Sequence, residues 1–216
     1  MAIIAVDFDG TLYEENSAKV TIKAGRTALT FKQWVHIFKD IVKGIANSPG
    51  QKKDFNILFL KSFFYQMKGM SREEISDFFT GLVDAGKDGI NKELFLRVNK
   101  HLEDGNQVVI LSGALQPFLE IFVRELSISA DVIGTQLFFD EKGICTGKIG
   151  ALNRGIEKVN RLQRWIEEKG VEGERIWAYA DSESDIPILE FADKAVAVNP
   201  SNKLKEIAEL NKWEIF

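Results

Sequence analysis

The chain has 216 residues, of which 45% are hydrophobic and 28% charged, with a formal net charge of −4. This is ordinary soluble globular usage, long enough for one large domain or one domain with a small insert. Acidic and basic residues are mixed, and no basic block supplies the electrostatic footprint of a nucleic-acid binder.

Cys145 is the single cysteine, so an intrachain disulfide is excluded. It reads as a small semi-buried hydrophobe, and a reducing cytoplasm is the expected compartment. Met1 to Val6 lacks a basic leader and is too short for a signal peptide. The longest apolar stretch, Phe55 to Met67, is broken by Lys61 and falls short of the ~20 residues of a membrane span.

Ile3 to Val6 is a short unbroken apolar run ending on acidic residues, which suits a buried central strand of a parallel sheet. From there to about position 90 no strand pattern recurs. Trp34, Ile37, Phe38, Ile41, Val42 and Ile45 follow helical spacing behind the capping pair Thr30 and Gln33. A second helix is expected over Phe55 to Met67. A third starts at Ser71, with Glu74 completing a capping box and Ile75, Phe78, Phe79 and Leu82 as its apolar stripe. Residues 15–90 therefore read as an all-helical insertion between core segments 1–14 and 91–216. Many of the 16 phenylalanines fall in it; they suit a small helical core, and also the lining of an apolar ligand site.

After the helix-stop pair Asp104-Gly105, Val108 to Leu111 reads as a second strand. A helix over Pro117 to Leu126 follows, then a hairpin: Leu137 to Phe139, the turn Asp140 to Gly143, and Ile144 to Thr146. Next come a helix over Asn153 to Lys169, a strand at Ile176 to Ala180, and a helix at Ile186 to Phe191. A strand at Ala195 to Val198 and a helix over Asn202 to Leu210 complete the chain. The alternation predicts an α/β fold with a doubly wound parallel sheet, Rossmann-like and covered on both faces.

Three strand ends carry chemistry. Asp7 and Asp9 share a face of the first strand, roughly 6–7 Å apart, and Gly10 allows the sharp turn after them. Such carboxylates can attack, exchange protons or hold a hard cation; the same tetrad also occurs in plain turns and calcium loops. Ser112 and Gly113 close the second strand, where a hydroxyl and free N–H groups at a helix start bind anions, or where Ser112 is simply a helix cap. Asp181 and Asp185 close the third, facing the ligand crevice or acting as acidic first-turn residues. Lys158, near the start of a helix, is the candidate lysine between the second and third of these ends, with Lys148 nearby. His36 and His101 sit in no metal-ligand pattern and read as structural or exposed.

Taken together, Asp-Phe-Asp-Gly-Thr, Ser112-Gly113, Lys158 and Asp181-Ser-Glu-Ser-Asp185 resemble the four ordered motifs of the haloacid dehalogenase superfamily, over nearly the whole chain. The segment Lys68 to Glu74 and Gly155-Ile156-Glu157-Lys158 are similar to its phosphoserine-phosphatase-like branch, which carries a helical cap after motif one. Ala180 and Ser184 depart from the usual glycine and asparagine.

The resemblance implies that Asp7 is the nucleophile of a phospho-aspartate mechanism and Asp9 the general acid and base. It implies Mg²⁺ on Asp7, Asp9 and Asp181, steered by Asp185, and phosphate binding by Ser112, Gly113 and Lys158. The expected partner is a small phosphomonoester, with no nucleic acid and no membrane span. Asn16 stands where phosphoserine phosphatases carry a glutamate, so phosphoserine is expected to be a poor substrate. The alternatives are phosphoserine phosphatase proper, a phosphatidylglycerophosphate-type lipid phosphatase, a phosphotransferase, or a non-catalytic phosphate-ligand sensor.

Overall fold

The computed structural model of the chain describes residues 1–17, 19–21, 35, 37, 39 and 61–216. Six strands form one parallel sheet: β1 (Ala2–Asp7), β2 (Gln107–Leu115), β3 (Asp131–Thr135), β6 (Arg175–Ala180), β7 (Lys194–Ala197) and β8 (Glu214–Ile215). Their order is β3-β2-β1-β6-β7-β8. The order reverses around β1, and the crevice beyond the carboxyl ends of strands at such a switch is where open α/β sheets bind ligands. The remaining strands, β4 (Leu137–Phe139) and β5 (Cys145–Ile149), make the expected antiparallel hairpin.

Period-two alternation along β1 sends Ile4 and Val6 to one face and Ile3 and Ala5 to the other. The first face is covered by α2 (Lys92–Glu103) and α3 (Gln116–Glu125), and α1 (Arg72–Gly86) packs on α3. The second is covered by α4 (Ile156–Lys169), α5 (Ile186–Phe191) and α6 (Asn202–Asn211).

The expected capping box at α1 forms: Ser71 Oγ accepts from Glu74 N, and Glu74 accepts from Ser71 N. Between β1 and β2 the described residues include helical positions at 17, 19–21 and 61–65, and Ile37 is helical and buried. Trp34, His36, Phe38, Ile41, Val42, Ile45, the pair Thr30 and Gln33, and residues 55–60 lie outside the described residues. Among the described residues, no helix is long and apolar enough to cross a membrane.

Three local expectations are corrected. Strand β2 runs past Ser112 to Leu115, through a register irregularity between Leu111 and Leu115, so α3 opens only at Gln116. Helix α4 starts at Ile156, because Gly155 takes φ 58° and Asn153 turns inward to donate Nδ2–H to Ile133 O at 2.6 Å. Strands β3 and β8 complete the sheet without having been foreseen.

Candidate active site

Register sets the site. Asp7 lies level with Leu111 of β2, and Val6 with Tyr179 of β6. The ends of β1 and β6 and the Ser112 segment therefore meet at one edge of the sheet. Asp7, Asp9, Ser112, Gly113, Lys158, Asp181 and Asp185 all line one cavity of about 390 Å³. That volume lies at the small end of ligand pockets, roughly 300–1,000 Å³.

Lys158 reaches this edge from the first turn of α4 and is 3% exposed. Its Nζ donates to Asp7 Oδ1 at 2.5 Å and pairs with Asp185 Oδ1 at 2.6 Å. Burial alone would neutralise the lysine, but the charges of Asp7 and Asp185 outweigh it and hold the ammonium protonated. Lys148 is exposed on β5, on the hairpin.

The cluster carries more negative than positive charge. Burial pushes the Asp7 carboxyl well above its usual range; Lys158 opposes this, while Asp185 and Asp181 add to it. Asp181 is raised by burial and then by Asp185. Thr11, fully buried, has one hydroxyl 3.3 Å from both Asp7 Oδ2 and Asp181 Oδ1, a single proton between two carboxylates. Asp185 is fixed by Ser182 Oγ, which donates to Oδ2 at 3.0 Å.

Whether these residues suit a cation follows from the donors. One carboxylate oxygen from each of Asp7, Asp181 and Asp185 lies within 4.8 Å of the others. The Lys158–Asp185 approach falls outside hydrogen-bond geometry, leaving buried Asp185 Oδ1 without a hydrogen-bond donor. An all-oxygen set with surplus negative charge suits a hard divalent cation, and the residues fit one. Gly10 belongs to this fit: it sits at φ 83°, and a Cβ there would meet Asp181 Oδ2 at 2.2 Å.

Asp9 is hydrogen-bonded by Ser17, and the Lys158 charge acts on it more weakly. Although it opens onto the cavity, desolvation by the surrounding protein pushes its carboxyl up to about 6, against the hydrogen bonds from Ser17 that lower it. Such a group exchanges protons readily near neutrality. Ser112 is 1% exposed and its Oγ accepts from Ala114 N at 3.0 Å, which leaves its own proton to donate. It is no helix cap, since α3 begins four residues later. Beyond the polar end the cavity wall is apolar, with Phe64, Phe79, Leu115, Phe118, Ile149 and Leu152.

Sequence reasoning gave no role to Thr11, Ser17 or Ser182. Thr11 and Ser182 fall inside quoted motifs, and their spacing from Asp7 and Asp185 was the available signal. Ser17 follows a loop and carried none. Asn16 lines the cavity, but its Oδ1 accepts from Lys19 N at 3.2 Å, as a helix cap does.

Fold and site together define an α/β enzyme with aspartates gathered at the switch point of its sheet. The haloacid dehalogenase-like hydrolase pattern matches residues 4–190, and the chain belongs to that family. It is 28% identical over 163 residues to a histidinol-phosphatase of Neisseria meningitidis, covering 73% of each. It is 30% identical over 116 residues to the phosphoserine phosphatase SerB1 of Mycobacterium tuberculosis, covering 53% of this chain but only 37% of that protein. The fold matches the crystal structure of a Bordetella pertussis protein of unknown function with a TM-score of 0.80 at 18% identity, over 100% of this chain and 97% of that one.

Proposed function

We propose that the protein is a Mg²⁺-dependent phosphatase that hydrolyses a small phosphomonoester through a phospho-aspartate on Asp7. The observation that carries this reading is the buried Lys158 bridging Asp7 and Asp185 at the mouth of β1, with Asp9 and Asp181 in the same cavity. In this reading Asp7 attacks phosphorus, and Asp9 gives its proton to the leaving oxygen. Asp9 then takes a proton from the water that releases phosphate. Lys158, the Ser112 hydroxyl and Gly113 N–H neutralise the phosphoryl oxygens, the main task in phosphoryl transfer. Asp7, Asp181 and the Asp9 carbonyl would hold Mg²⁺, with Asp185 orienting them; the ion would offset the repulsion between a carboxylate and a dianionic ester. Residues 15–90 act as a cap that closes over the cavity and excludes water.

Two features bear on the substrate. Asn16 brings no charge for an ammonium group, and the apolar wall favours a leaving group with apolar character. The substrate is therefore a small phosphomonoester other than phosphoserine, with a lipid phosphate as the alternative reading. The test is kcat/KM across phosphoserine, histidinol phosphate, sugar phosphates, phosphocholine, aryl phosphates and short-chain lipid phosphates, with added alcohols to detect transfer. Phosphoserine winning by an order of magnitude would overturn the substrate assignment. Transfer outpacing hydrolysis would make the protein a phosphotransferase.

A further inference from the structure

The turn after β1 brings the chain back on itself. Gly10 takes φ 83° and its N–H donates to Tyr13 O at 2.7 Å, while Tyr13 N–H donates to Phe8 O at 2.8 Å. Glu14 N–H is then tied to Gly89 O at 2.8 Å, at the far end of the helical segment. The next helical residues begin at Ser17, and Ser17 points at Asp9. Its N–H donates to Asp9 Oδ1 at 2.6 Å and its hydroxyl to Asp9 Oδ2 at 2.9 Å. The Ser17 carbonyl is engaged in turn by Thr21 Oγ1 at 2.7 Å, and Ser17 is itself buried.

A carboxylate offers about four lone-pair sites on two oxygens. One residue occupying a site on each oxygen fixes the plane of the group, and the remaining sites are then fixed in direction too. Both contacts are donors, so they favour the ionised form that the second half of the reaction requires.

We infer that Ser17 is a positioning residue that sets the plane of the Asp9 carboxyl for proton transfer. The inference rests on the proposed role of Asp9. In the first half the Asp7–phosphorus bond forms, the phosphorus–oxygen bond to the leaving group breaks, and the Asp9 proton passes to that oxygen. In the second half a water oxygen bonds to phosphorus, its proton goes to Asp9, and the Asp7–phosphorus bond breaks. Asp9 ends protonated, as it began, and both transfers need its free lone pair aimed at an oxygen beside phosphorus. A misaligned proton donor costs most when the leaving group is a poor one.

The test compares Ser17→Ala, Ser17→Thr and Asp9→Asn with the wild type, using p-nitrophenyl phosphate and phenyl phosphate in rapid-quench single turnovers. The p-nitrophenolate leaves readily without a proton, and phenolate does not. Ser17→Ala is expected to slow phosphorylation by phenyl phosphate at least about fivefold more than by p-nitrophenyl phosphate, with KM changed less than about twofold. Ser17→Thr, which keeps both donors, restores the wild-type ratio. Equal slowing of both esters, unchanged rates for both, or failure of threonine to restore them overturns the inference. If Asp9→Asn shows the leaving-group dependence and Ser17→Ala does not, only the role of Ser17 falls. If Asp9→Asn shows none, the assignment of Asp9 falls and this inference with it.

Discussion

The two faces of the sheet are packed from different materials. On the side of α1, α2 and α3, aromatic rings cluster among aliphatic residues: Phe8 stacks on Tyr13 at 5.3 Å and meets Phe122 edge-on at 4.6 Å, and Phe118 touches Phe8 and Phe79. On the face covered by α4, α5 and α6, aliphatic residues and alanines fill the space, with Trp165 at the edge. The difference follows the cavity. Phe79 and Phe118 belong to the aromatic core and also line the cavity, whereas the apolar residues of the second face line none of it. That face contributes Lys158 instead, carried on α4. One face thus offers apolar wall, the other supplies charge, and β1 between them supplies Asp7.

The largest expected effect falls on the shared strand. Asp7→Asn keeps shape and loses the anionic nucleophile, so turnover should drop about 10³-fold or more with the melting temperature little changed. Retention of a tenth of the rate would refute a covalent mechanism. Removal of divalent cations with EDTA should abolish turnover and Mg²⁺ restore it, read by the same assay; full activity in metal-free protein would contradict the cation site.

The contribution of the second face is tested by its lysine. Lys158→Ala should cost about 10²- to 10³-fold in kcat/KM, whereas Lys148→Ala, on an exposed hairpin, should change it less than about twofold. The reverse ranking would move the phosphate contact to the hairpin.

The faces themselves are separated by two truncations. Phe118→Ala should cost ~3–5 kcal/mol in denaturant unfolding and also raise KM for aryl substrates. Leu162→Ala should cost ~2–5 kcal/mol with KM unchanged. Equal KM changes would dissolve the distinction between the faces.

The smallest expected effect is a pH dependence on the aromatic side. His101 Nε2 lies 2.8 Å from Tyr179 Oη, and burial, helped by Arg97, lowers the imidazole pKa. The folded protein therefore resists protonating it, while the unfolded chain takes up the proton near pH ~6.5. Its contribution is present above that pH and is lost as pH falls through and below it. The melting temperature should fall less between about pH 7.5 and about pH 5 in His101→Gln than in wild type.

Legibility in the sequence followed the same physics. Strands β1, β6 and β7, and the Val108 to Leu111 part of β2, are largely apolar runs because both their faces are buried, and they were readable for that reason. Strand β3, Asp-Val-Ile-Gly-Thr, breaks its run with a glycine whose Cβ would strike the backbone of Gln116 at 2.8 Å. Strand β8 has only two residues. Asp7, Asp9, Ser112, Gly113, Lys158, Asp181 and Asp185 meet in one cavity because each sits at or just beyond the end of a readable element. Ser17 was not readable, because its contact with Asp9 depends on the path of a tight loop rather than on any repeating pattern.

The position of β1 also governs how the molecule can be made. It is synthesised before its partners, yet its ladder to β6 joins Ala2 to Arg175 and Val6 to Tyr179. At ~5–20 residues per second, translation leaves that side of β1 open for on the order of 10–30 s. During that time Ile3, Ile4, Ala5 and Val6 form a bare apolar edge, able to pair with the wrong strand. Long-range parallel pairing of this kind is slow to close even once the chain is complete. A chain cut before Arg175 would keep β1 paired with β2 on one side and carry Asp7 on a strand whose other edge stays open.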